Sequence, residues 1–81
     1  MDSAEETIVV LAGAASVTVN GREETVREGG IALVPANTPH EVRNSGGELL
    51  RFAAVYASTD VVTTYEDEVQ PDGSRQRRPV S

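Results

Sequence analysis

The chain has 81 residues, a net charge of −6, no cysteine and no lysine. The missing cysteine excludes disulfides and every thiolate metal site, and the acidic balance argues against gripping nucleic acid by its phosphates. A single domain of this size hides only about 60% of its unfolded surface, so a metal or a partner subunit is the usual reinforcement.

The N-terminus, Met1-Asp2-Ser3-Ala4-Glu5-Glu6, has neither a basic residue nor an apolar stretch of secretion-signal length. The longest apolar run, Ile8 to Ala15, falls far short of the ~20 residues a membrane helix requires. The expectation is a cytoplasmic protein without a membrane or nucleic-acid partner.

Residues 7–12 open with a β-branched run, and Ser16-Val17-Thr18-Val19 alternates polar with apolar, predicting strands over 7–12 and 15–19. Asn20-Gly21 tolerates the two positive φ angles of a type I′ hairpin, which returns the chain along 22–27. Glu28-Gly29-Gly30 turns again, and Ile31 to Val34 is a short strand closed by Pro35, which has no N–H for a ladder. A loop at Ala36-Asn37-Thr38-Pro39 leads to a strand over 40–44.

After Ser45-Gly46-Gly47, residues 49–57 form the longest predicted strand, with Leu50, Phe52, Ala54 and Tyr56 on one face. Ser58-Thr59-Asp60 turns into a weaker strand over 61–66, with Tyr65 in an acidic patch. Gly, Pro and Ser punctuate residues 70–81, so a domain over 1–69 with a flexible tail over 70–81 is expected. The tail's Arg75, Arg77 and Arg78 read as a solvated end. No window keeps helical spacing, and the fold class is all-β: a small antiparallel barrel or jelly roll.

The segment Gly29, Pro35, Asn37, His40, Asn44 resembles the second sequence motif of the cupins. Every spacing of glycine, five residues, proline, one, glycine, two, histidine, three, asparagine is kept. Only the middle glycine departs, and the asparagine replacing it is itself tolerant of positive φ. Glu6 and Gly13 are similar to the second half of the first cupin motif. The two histidines that precede the glutamate in that motif have no counterpart, so a barrel incomplete at its N-terminal edge is expected.

The resemblance implies a divalent metal (Mn, Fe, Ni or Zn) at the barrel mouth, with Glu6 and His40 matching two of the four ligands. One carboxylate and one imidazole make a poor site, and weak binding follows. His40 is the chain's one histidine. It reads as a buried residue hydrogen-bonded to Glu6, as a metal ligand, or as a proton-transfer group. Glu6 alternatively reads as a solvated strand end, Phe52, Tyr56 and Tyr65 as core, and Asn44 as a turn former bonded to its own following backbone.

Three functions fit. One is a cupin-like module with an incomplete metal site that binds a small molecule or dimerises. The others are a metal-dependent dioxygenase, isomerase or decarboxylase, and a truncated form of such an enzyme. The size argument adds a homodimer, sharing segments near Leu49 to Ala57 or Val61 to Val69.

Overall fold

The computed structural model describes residues 4–58 and 61–80. Among the described residues eight strands make up the fold: β1 (Glu5–Ala12), β2 (Ala14–Val19), β3 (Arg22–Arg27), β4 (Ile31–Val34), β5 (His40–Asn44), β6 (Leu50–Ala57), β7 (Val62–Val69) and β8 (Arg75–Pro79). They form a five-stranded sheet, β4-β1-β6-β7-β8, and a three-stranded sheet, β3-β2-β5. Every pairing is antiparallel. The expected all-β architecture is what the chain adopts, with two facing open sheets in place of a continuous barrel wall.

Period-two alternation decides what goes inside. Ile8 and Val10 of β1 and Leu50, Phe52 and Ala54 of β6 are buried, against Val17 of β2, Val26 of β3 and Val42 of β5. Fully burying a side chain of the Ile, Leu or Phe class stabilises by about 1.5–3 kcal/mol, so this cluster dominates folding.

Two backbone sites shape the crossing between sheets. Gly13 takes φ +81 where β1 hands over to β2, and a Cβ there would stand 2.7 Å from the Leu49 carbonyl oxygen. Asn20 and Gly21 have φ 50 and 82, as the hairpin reading requires, and Asn37 adopts φ 58 in the glycine's place.

Strands β3, β4 and β5 match their predicted limits, whereas β1 begins earlier, at Glu5, and β7 runs on to Val69. The added residues Glu5, Glu6, Asp67 and Glu68 are charged, and hydrophobic periodicity cannot register them; Val69 beyond them is buried. The turn predicted at Ser58-Thr59-Asp60 lies partly outside the described residues, with Ser58 N–H donating to the Val61 carbonyl at 2.9 Å.

Three expectations are corrected. The segment read as a flexible tail continues the sheet: Gln70 and Gly73 close a turn, and β8 pairs with β7 from Val69↔Arg75 to Tyr65↔Pro79. The domain boundary at residue 69 therefore does not separate structure from tail. The N-terminal strand is no exposed edge, because β1 lies between β4 and β6. Strands β6 and β7 are not available for sharing with a second copy through their backbones, since each has a neighbour on both sides; the edges are β4, β8, β3 and β5.

Candidate ligand site

Where the two sheets diverge, a cleft of about 920 Å³ opens between β5 on one side and β1, β6, β7 and β8 on the other. Alternation on β1 points Glu6 into it, and Glu6 is only 2% exposed, which corrects the reading of a solvated strand end. His40, the first residue of β5, brings Nε2 to 2.8 Å from Glu6 Oε1. The two residues singled out from the motifs thus meet.

Hydrogen bonding restricts the protons of this pair. His40 Nδ1 lies 3.1 Å from the Thr38 carbonyl, which can only accept, so Nδ1–H donates. The Glu6–His40 contact thus places a carboxyl and an imidazole side by side on the cleft wall, where a polar group of a ligand can meet them.

The second half of the site comes from the β7–β8 hairpin. Asp67, fully buried, faces Arg77 across the ladder and accepts from Nε at 2.6 Å and from Nη2 at 3.0 Å. This bidentate pairing raises the Arg77 guanidinium further above its ordinary value, with the Tyr56 hydroxyl, 3.1 Å from Nη2, adding to the effect. The same guanidinium packs on both tyrosine rings, 5.5 Å from the Tyr56 centroid and 4.8 Å from that of Tyr65. Tyr56 and Tyr65 are half-buried partners of an arginine; Phe52 lies in the core, and Tyr56 packs against it.

Arg75 reaches across the cleft, donating to the Val42 carbonyl of β5 with its guanidinium 5.9 Å from the Phe52 ring centroid. Asp72, in the turn before it, accepts from the Ser74 N–H and hydroxyl at 2.9 and 2.7 Å, which hold its carboxyl below the usual range. Asn44 does form the predicted turn, accepting from Gly46 N–H at 2.9 Å. Its amide also donates to the Val69 carbonyl at 2.8 Å and so ties the sheets together.

Sequence reasoning missed Asp67, Arg75 and Arg77. A signal was present: the acidic run Glu66-Asp67-Glu68 and the basic run Arg75 to Arg78 flank Asp72-Gly73, a hairpin dipeptide.

Residues 1–56 match the cupin domain family. The chain belongs to the cupin superfamily. No curated protein and no solved structure matches it. The match ends at Tyr56, so the cupin body supplies Glu6, His40 and Tyr56, while Asp67, Arg75 and Arg77 lie beyond the matched residues.

Cupins often carry a metal, and the donor set here bears on whether this one can. Among the described residues no three His, Cys, Asp or Glu side chains are grouped to hold an ion. Asp67 is committed to Arg77, and Glu6 and His40 alone would leave most positions to water. These residues do not fit a resident transition metal.

Proposed function

We propose that this cupin is a small-ligand-binding module that works without a resident metal. The observation that carries the reading is the cleft of about 920 Å³ lined both by the Glu6–His40 contact and by Asp67, Arg75 and Arg77 of the β7–β8 hairpin. Such a site is a concave cleft that sets mostly charged and polar side chains around the buried Phe52, Val42 and Val69, a composition that suits a small polar or charged molecule. A titration of the full chain with benzoate, benzyl alcohol and benzylamine in EDTA, followed by NMR, tests it. At least one probe should bind saturably and move the amides of His40 and Tyr56. Binding by none of them, or only after a divalent metal is added, contradicts the proposal.

A homodimer is part of the proposal. Ile31 and Leu33 on edge strand β4 are 59% and 62% exposed, and Leu11 of β1 is 40% exposed. An apolar edge beside an apolar sheet face suits a two-fold contact in a domain of marginal size. Sedimentation equilibrium at micromolar concentration should give a dimer, and a folded monomer there would dispose of that part.

A further inference from the structure

Among the described residues the charges around the cleft pair off except at Asp72, which only the neutral Ser74 donors hold, and at Arg75. Glu6 meets His40, Asp67 meets Arg77, Glu41 lies 3.4 Å from Arg43, and Asp72 is taken by the Ser74 donors. Arg75 lines the same cleft and, among the described residues, has no carboxylate within ion-pair distance. Its only side-chain hydrogen bond among those residues is from Nη2 to the Val42 carbonyl. A guanidinium has five N–H donors in a planar fork, so most of them remain for a ligand. Its guanidinium stands over the Phe52 ring, and Phe52, Val69 and Val42, all buried and apolar, line the same cleft.

From this we infer that the cleft takes a small monocarboxylate, with the carboxylate on Arg75 and an apolar body over Phe52 toward the Glu6–His40 pair. This rests on the small-ligand reading above and adds the chemical class of the ligand. An arginine fork matches a carboxylate in two parallel hydrogen bonds. A single charge is favoured over a double one, because Glu41 and Asp72 line the same cleft and the chain carries −6 overall. The Glu6–His40 pair, whose carboxyl and imidazole already face each other, suits a hydroxyl or carbonyl on the far end of the ligand and leaves the anion to Arg75.

The experiment is an NMR titration of the full chain in EDTA with benzoate, benzyl alcohol and inorganic phosphate, on the native sequence and on Arg75→Gln and Arg78→Gln. Benzoate should bind tightest and shift the Arg75 Nε and Val42 amide signals. Arg75→Gln should weaken it roughly ten- to a hundredfold, the loss expected for charge-assisted hydrogen bonds. Arg78→Gln should leave it unchanged, since Arg78 is engaged with Glu66 outside the cleft. Benzyl alcohol or phosphate binding as tightly as benzoate, or Arg75→Gln leaving benzoate unaffected, overturns the carboxylate assignment while the cleft reading stands. No probe reaching the cleft overturns both. Comparing benzoate with benzyl alcohol on the native chain keeps the test decisive even if Arg75→Gln fails to fold.

Discussion

The strands up to β6 and the β7–β8 hairpin are held by different forces. The first region stands on apolar burial, with Ile8, Val10, Leu50 and Phe52 at 0–1% exposure. In the hairpin every residue of β8 is exposed, and its place is fixed by cross-strand charge: Arg77 on Asp67 facing the cleft, and Arg78 with Arg51 on Glu66 on the other face. Exposed ion pairs stabilise by well under 1 kcal/mol each, so the fully buried Asp67 sets the strength of the attachment. The cleft lies on the seam between the two regions, and its rim is built from the weaker of them.

The largest effect expected is on the apolar side. Phe52→Ala should cost about 3–5 kcal/mol, lowering the midpoint of chemical unfolding for the whole chain at once. Arg77→Ala should cost about 3 kcal/mol, the low end for breaking a buried pair because the Arg77 side chain is 38% exposed. Its loss should appear first as faster amide exchange in β7 and β8, with the β1 and β6 amides still protected. Adding Asp67→Asn to that variant should recover part of the loss by removing the stranded charge. Equal acceleration of exchange in both regions would show that the hairpin is not a separate unit.

The smallest effect concerns pH. Hydrogen bonds from Arg51 and then Arg78 hold the Glu66 carboxyl below its ordinary value. A carboxyl lowered by folding contributes stability that is complete above its unfolded value and is lost as pH falls through its folded one. Glu66→Gln should therefore lower the unfolding midpoint slightly at neutral pH and leave it unchanged in acid, so that the acid limb of the profile is flatter. A midpoint that drops equally at all pH values would assign Glu66 a packing role instead.

The same contrast explains what was readable in the sequence. Apolar alternation and turn dipeptides located β2 to β6 closely, and the resemblance of Glu6, Gly13, Gly29, Pro35, His40 and Asn44 to the cupin motifs implied that Glu6 and His40 share a site. Strand β8, Arg-Gln-Arg-Arg-Pro, has no apolar residue for a periodicity to catch. Its partner stretch Glu66-Asp67-Glu68 looks like a solvated run until the opposite charges are set across a ladder. Pro71, Gly73 and Ser74 mark a turn as readily as a tail, and only the pairing distinguishes the two. The half of the site that rests on Asp67, Arg75 and Arg77 was hidden for that reason.

The central claim is a cupin cleft that serves a ligand without a resident metal, and calorimetric titration of the EDTA-treated full chain with manganese, iron(II), nickel and zinc tests it most directly. With one carboxylate and one imidazole as donors, no site tighter than about micromolar is expected for any of the four. A tight one-to-one site that disappears in His40→Ala would contradict the account and restore a metal centre to the cleft.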